Sequence, residues 1–174
     1  QRQVWKGERA ETQKELEEQQ KVINDLSPEE RDKRLADAQA RKDDTGSYRP
    51  ENDAQDRART RNEYYDKETK KIIYQKRKQG IDPEIAEQEA ATEILEQMKT
   101  LDAAHVLDSI AGGHEEDADQ TAMRPRGANR RVDSAWRHGR RREALVNAVK
   151  KALKAGKKKM DVYLKVCEEG KEVS

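Results

Sequence analysis

His105 and Asp108 are the residues whose types and spacing could carry chemistry. An imidazole with a pKa of about 6.5 can remove a proton from water at neutral pH. A carboxylate can orient that imidazole or hold a divalent cation. Asp102, three residues before His105, is a second candidate metal ligand. These side chains predict activation of a water molecule, with His105 as general base and Asp108 as metal ligand or orienting group.

Basic side chains follow this pair closely. Residues 121–160 carry 14 basic and 2 acidic side chains, although the net charge of the whole chain is only +1. Such a local concentration of positive charge is typical of proteins that bind a phosphate backbone. Guanidinium groups can also stabilise the charge that develops on phosphate oxygens during cleavage. The candidate nucleic-acid-binding residues are Arg124, Arg126, Arg130, Arg131, Arg137 and Arg140.

Each pattern also has an alternative explanation. A His paired with a nearby Asp is often a structural pair, and an arginine-rich segment can be a solvated face or a contact surface for an acidic protein. Trp136 is better explained as a core anchor than as a stacking platform. Four functions stay open: a DNase, an RNase, a non-catalytic module that binds nucleic acid or a protein, and an enzyme whose substrate has no phosphate.

Composition limits the class of fold. Charged residues make up 42% of the 174 residues and aromatic residues 4%, with no Phe, so the core must be mainly aliphatic. The single Cys167 excludes an internal disulfide and a four-cysteine zinc site. The sequence has no apolar stretch long enough for a membrane-spanning helix. We therefore expect an all-α, irregular domain of about five or six helices.

Helix signals divide the first half of the chain. Apolar spacing predicts a first helix over residues 8–25, and the capping-box sequence of residues 27–30 predicts that a second helix begins there. Turn formers over residues 43–50 predict a linker or an exposed loop. A third helix is expected over residues 51–79, and Asp82 should cap a fourth.

The fourth helix is predicted to carry the candidate catalytic pair. Its apolar positions from Ile94 to Leu101 step by four and three, and the same alternation continues to His105 and Asp108. Residues so spaced lie on one helical face, so both side chains could act on a common point. Gly112 and Gly113 are the predicted structural residues that end this helix, because glycine tolerates the left-handed conformation of a helix terminus.

The remaining part of the chain is predicted to be a loop followed by helix. Residues 113–132 show no helical period, which predicts a long basic loop after the central helix. A fifth helix is expected over residues 133–155, with Trp136 as a structural residue on its apolar side. The spacing in residues 157–169 favours a helix over a strand.

Two strings in the sequence resemble the HxxD nuclease domain of bacterial polymorphic toxins, the Tde-type DNase effectors of type VI secretion. In that family His-x-x-Asp is followed closely by Ile-Ala-Gly-Gly, and a charged loop then leads to a stretch that ends in Trp. Here the pair is followed by Ile110-Ala111-Gly112-Gly113, and a second stretch ends in Trp136. The resemblance covers most of the chain loosely and residues 94–137 more closely.

The resemblance implies a metal-dependent nuclease that uses a divalent cation, expected to be Mg²⁺, and that acts on DNA. It also implies an antibacterial effector that the producing bacterium secretes, that acts in the cytoplasm of the target cell, and that a cognate immunity protein neutralises. Residues 1–50 would be a helical lead-in and residues 51–174 the toxin nuclease domain, unless the whole chain is one continuous domain.

Overall fold

The computed structural model describes residues 2–113, 121–138 and 140–166, with side chains from residue 7 onwards. Within these ranges the chain is predominantly helical, and the predicted all-α class is confirmed. The helices are α1 (Arg2–Asp25), α2 (Pro28–Thr45), α3 (Asp53–Lys78), α4 (Pro83–Met98), α5 (Arg126–Arg137) and α6 (Arg141–Lys154). Two short strands, β1 (Leu101–His105) and β2 (Thr121–Pro125), form a two-stranded sheet. A 3₁₀ turn spans Ser109–Ala111.

Local sequence sets the ends of several helices. The Ser27 hydroxyl accepts a hydrogen bond from the N–H of Glu30 at 3.2 Å, and the Ser27 N–H donates to the Glu30 carboxylate at 3.3 Å. This is the predicted capping box, and it starts α2 at Pro28. Gly46 ends α2 in the left-handed conformation, with φ at 77°. Asp82 caps α4 by accepting from the N–H of Glu84 at 2.9 Å.

The contacts divide the chain into two compact units. The first contains the described residues of 1–50, 105–120 and 127–174, and the second contains residues 51–104 and 121–126. Residues 1–50 therefore belong to the same unit as α6. The predicted boundary between a lead-in of residues 1–50 and a nuclease domain of residues 51–174 stays a prediction. Every helix in the described ranges is too short or too polar to traverse a lipid bilayer.

The core of the first unit is aliphatic around one large aromatic side chain. Trp136 on α5 is 1% exposed, and its indole N–H donates to Oε1 of the buried Gln19 on α1 at 2.8 Å. The indole nitrogen therefore keeps a polar partner although the ring is removed from water. The aliphatic side chains of this core include Leu16, Ile23, Leu35, Leu107, Ile110, Val132, Leu145, Val149 and Leu164.

An extended segment, residues 161–166, packs along α1. Every second peptide N–H of this segment donates to an amide side chain of the helix. The pairs are Val162 with Asn24, Leu164 with Gln20, and Val166 with Gln13, at 2.8, 2.8 and 3.1 Å. The helix predicted over residues 157–169 is thus wrong for the described residues 157–166, because the amides of α1 satisfy the backbone of an extended chain. Residues 167–169 lie outside the described ranges.

The second unit is built from α3, α4 and paired strand residues. On α4, Ala86, Ala90 and Ile94 form a buried stripe. Arg57 on α3 donates to the Ala103 carbonyl in β1 at 2.6 Å and pairs with Asp53 at 2.8 Å. The guanidinium of Arg57 thus links a helix to the strand that leads to His105.

The long fourth helix predicted to carry the catalytic pair is wrong. Helix α4 ends at Met98, and residues 101–105 form β1 instead. A short apolar segment does not distinguish helix from strand by its period alone, and here pairing with β2 supplies the backbone partners. His105 therefore ends a strand, Asp108 follows it, and the two do not share a helical face.

Two further expectations about the basic region are also wrong. The loop predicted over residues 113–132 contains β2 and the first half of α5, while residues 114–120 lie outside the described ranges. The single helix predicted over residues 133–155 is divided, since α5 ends at Arg137 and α6 begins at Arg141. The sequence between them contains Gly139, a residue type with low helix propensity.

Candidate active site

A tight turn fixes the carboxylate of Asp108. Its Oδ1 accepts a hydrogen bond from the N–H of Ile110 at 3.0 Å and so caps the 3₁₀ turn. Its carbonyl oxygen accepts from the N–H groups of Ala111 at 2.9 Å and Gly113 at 3.1 Å. Among the residues that the structure describes, none donates to Oδ2 of Asp108. One carboxylate oxygen therefore holds the turn, and the second can bind a ligand.

The two glycines that follow permit this turn. Gly112 is left-handed, with φ at 78°, and a Cβ there would lie 3.1–3.2 Å from Arg34 and Leu35 of α2. At Gly113 a Cβ would lie 1.9 Å from the carbonyl oxygen of Leu107. Gly112 is thus left-handed at the end of a helical turn, as predicted, although the turn is a short 3₁₀ turn and not a long α-helix.

A cavity of about 430 Å³ opens beside Asp108 within the first unit. A volume of this size falls in the range typical of small-ligand sites. Its walls combine one acidic residue, three basic residues and a tyrosine. The lining residues are Lys42, Gly46, Ser47, Tyr48, Arg49, Asp108, Ile110 and Arg137. Positive groups from two separate parts of the chain therefore surround one fixed carboxylate.

Residues 42–49, which the sequence analysis assigns to the end of a helix and a linker, form one wall of this cavity. The Lys42 ammonium donates to the carbonyl of Gly46. The carbonyl of Tyr48 accepts from the Arg41 guanidinium at 2.7 Å, and the Tyr48 hydroxyl donates to Gln39 at 3.3 Å. The loop is therefore folded back on α2 and presents Tyr48 and Arg49 to the cavity.

The structure places the three predicted catalytic and metal-binding residues differently. Asp108 lines the cavity. His105 is 8% exposed and is not one of the described lining residues. Asp102 belongs to the second unit and pairs with Arg126 at 2.9 Å, so its carboxylate is already matched by a positive charge.

The side chains that could bind a metal ion limit the kind of metal site that would fit. No group of three or more His, Cys, Asp or Glu in the described ranges is arranged to hold a metal ion. Mg²⁺, however, is commonly bound by one or two carboxylates together with water and substrate phosphates. The described residues therefore form no preassembled cage, and the described lining of the cavity offers one carboxylate, that of Asp108.

Of the six predicted nucleic-acid-binding arginines, Arg137 is the one that lines the Asp108 cavity. Arg126 pairs with Asp102, and Arg131 pairs with Glu8 at 2.7 Å. Arg124 is buried, and the side chains of Arg130 and Arg140 are exposed.

Among the cavity residues that sequence reasoning missed, Lys42, Tyr48 and Arg49 carry a charged or aromatic side chain. The local signal was basic and aromatic side chains within a turn-rich sequence. Loops of this kind often carry binding residues on a rigid scaffold.

The comparison with known families agrees with the implied class of protein. A family model described as novel toxin 15 matches residues 7–167. No curated protein matches the chain. Because the family match covers every described residue that lines the Asp108 cavity, it includes the whole of the candidate site. The chain is therefore a toxin domain that belongs to the novel toxin 15 family.

Proposed function

We propose that this toxin domain is a nuclease that cleaves phosphodiester bonds in the cavity beside Asp108. The observation that carries the proposal is that Asp108 lines the same cavity as Lys42, Arg49 and Arg137. Three positive groups favour an anion whose charge is spread over several oxygens, as in a phosphodiester. The fixed carboxylate beside them supplies a group that could hold a metal ion or orient a water.

Each residue has a proposed role. Lys42, Arg49 and Arg137 bind the phosphate and stabilise the charge that develops on it. Asp108 would hold a divalent cation, expected to be Mg²⁺, or orient His105. Bound there, the cation would polarise the phosphate and lower the pKa of a bound water. His105 is the proposed general base; the resemblance supports this role, and the described lining of the cavity does not include His105.

The proposed substrate is DNA, which the resemblance to Tde-type effectors supports. Phosphate contacts carry no sequence information, so a broad range of sequences should be cut. RNA is the alternative substrate, since a phosphate clamp binds either polymer. The same resemblance supports a secreted antibacterial effector that acts in the target-cell cytoplasm and binds an immunity protein.

Cleavage of plasmid DNA and of total RNA, each with Mg²⁺ or with EDTA, tests the proposal. We expect the parent to cut DNA only with Mg²⁺, and Asp108→Asn and His105→Ala to lose at least about 100-fold in rate. Asp37→Asn, which removes an exposed carboxylate of α2, is the matched control and should cut like the parent.

Two results would overturn the assignment. If Asp108→Asn cuts as fast as the parent, the cavity is not the reaction site. If the parent binds DNA or RNA but cuts neither, the domain is a binding module.

A further inference from the structure

Arg142 on α6 holds together three segments around the Asp108 cavity. Its Nε donates to the carbonyl of Ile110 at 3.0 Å, and its NH2 group donates to the carbonyl of Leu35 at 3.4 Å. Its guanidinium carbon lies 5.3 Å from the centroid of the Tyr48 ring. Ile110 and Tyr48 both line the cavity, and Leu35 lies on α2 two turns before Lys42. One side chain thus contacts the Asp108 turn, α2 and the loop wall.

Ile110 connects Arg142 to Asp108 by two hydrogen bonds. The N–H of Ile110 donates to Oδ1 of Asp108, while the carbonyl of the same residue accepts from Arg142. Ile110 is therefore bound on both sides of its backbone. The bond to Arg142 therefore restrains the residue that holds the Asp108 carboxylate.

An arginine is specifically suited to this position. Its planar guanidinium presents donors in fixed directions, so it can bind two carbonyls and cover an aromatic ring at the same time. A lysine could bind one carbonyl but lacks the fork that reaches the second. Within the part of the chain that the structure describes, Arg142 forms no ion pair, and its polar contacts go to the two carbonyls and the ring.

We propose that Arg142 is a positioning residue that sets the distance between the Asp108 turn and the wall formed by residues 42–49. It contacts two residues that line the cavity, Ile110 and Tyr48, and it is not itself one of the described lining residues. The expected effect of Arg142 on cleavage rests on the proposed nuclease function. The restraint that Arg142 places on the Asp108 turn does not rest on it. The two parts can therefore be measured separately.

The first measurement is amide hydrogen exchange, which needs no activity. The amides to follow are those of Ile110, Ala111 and Gly113, which bond to Asp108. We expect Arg142→Lys to raise their exchange by at least about 10-fold, because the turn opens locally, while the amides of the α1 core stay unchanged. Lys150→Gln, on an exposed position of the same helix, should leave all of them unchanged.

The second measurement is steady-state cleavage of the nucleic acid that the parent cuts. Arg142→Lys keeps the positive charge, so KM should stay within about 3-fold, while kcat should fall by about 10- to 100-fold because the reacting groups are misplaced. Arg142→Gln, which also removes the charge, should show at least the same loss of kcat.

The outcomes separate the positioning role from the nuclease function. Unchanged exchange in Arg142→Lys overturns the proposal. A higher KM with an unchanged kcat also overturns it, because that result indicates direct substrate binding. If the turn loosens but the parent cuts no nucleic acid, the nuclease function fails while the hold of Arg142 on the turn is supported.

Discussion

The N–H of Gly113 donates to the carbonyl oxygen of Asp108 at 3.1 Å, and this bond closes a turn that has no space for a side chain. A Cβ at Gly113 would lie 1.9 Å from the carbonyl of Leu107. We expect Gly113→Ala to lower the free energy of unfolding by about 3 kcal/mol, since backbone must move to relieve the overlap. Urea unfolding followed by circular dichroism would measure the change.

Gly7→Ala is the matched control for that substitution. Gly7 lies within α1, and a Cβ there would meet nothing within 4 Å. Alanine should therefore stabilise the protein by about 0.5–1 kcal/mol through its higher helix propensity. If Gly113→Ala lowered the free energy of unfolding by no more than the amount by which Gly7→Ala changes it, the tight geometry of the turn would be contradicted.

Lys42 and Arg49 should account for part of the affinity for nucleic acid. Lys42→Gln combined with Arg49→Gln should weaken binding and reduce the slope of log K against log salt by about 2, because two phosphate contacts are lost. Fluorescence anisotropy with a labelled DNA duplex, repeated from low to high salt, measures both quantities.

The control for the cavity cations removes two exposed charges of the same unit, by Lys21→Gln and Lys33→Gln. This variant has the same net charge as the cavity double variant. Equal salt slopes for the two variants would show that overall charge, and not the cavity, determines binding.

Arg31 is a buried cation whose removal should stabilise the fold. It is 0% exposed, it donates to the carbonyl of Val22 at 2.7 Å, and two of its nitrogens have no hydrogen-bond partner among the described residues. Burial, with a smaller contribution from the charge of Arg34, lowers the pKa of Arg31 from its usual value to about 10. Such a change corresponds to a cost on the order of 3 kcal/mol for keeping the group charged.

Arg31→Met should therefore raise the free energy of unfolding by about 1–2 kcal/mol at pH 7. The sign follows from the lowered pKa: the cost is fully present below pH 10 and disappears only as the pH rises above that value. Urea titration of parent and variant at pH 7 is the test. A less stable variant would mean that the bond to Val22 outweighs the burial cost.

Asn24 should be important for stability because it binds a residue that lies 138 positions away in the sequence. Its amide accepts from the N–H of Val162 and donates to the carbonyl of the same residue, both at 2.8 Å. Asn24→Ala leaves two peptide groups without partners, which should cost about 2 kcal/mol.

Thermal unfolding of the Asn24 variant should be compared with that of Gln88→Ala, an exposed amide on α4. The control should change stability by less than about 0.5 kcal/mol. Similar behaviour of the two variants would mean that α1 does not hold the extended segment in solution.

The parts of the fold that sequence predicts are those that depend on neighbouring residues. Ser27, Glu30 and Asp82 form caps within three residues of their partners, so the starts of α2 and α4 can be predicted from local chemistry. Strand β1 forms by pairing with β2, which begins sixteen residues after β1 ends and so lies beyond the reach of such local chemistry. Its alanines suit a helix equally well, so the local sequence could not identify the strand.

The candidate site shows the same limit. The spacing from His105 and the resemblance both identify Asp108, and both depend on residues that lie close together in the sequence. Lys42 and Arg49 reach the same cavity only because α2 packs against the 3₁₀ turn, where Gly112 lies close to the backbone of α2. No spacing rule connects residues so distant in sequence.

The amide side chains of α1 bind backbone N–H groups of the extended segment 161–166. They do not bind the side chains of that segment. A slip of one residue would turn those N–H groups away from α1 and remove Leu164 from the core, so the register is fixed. The outward side chains of Asp161, Tyr163 and Lys165 do not take part in these bonds. Substitutions at these three positions can therefore change the character of this surface while the backbone beneath stays in place.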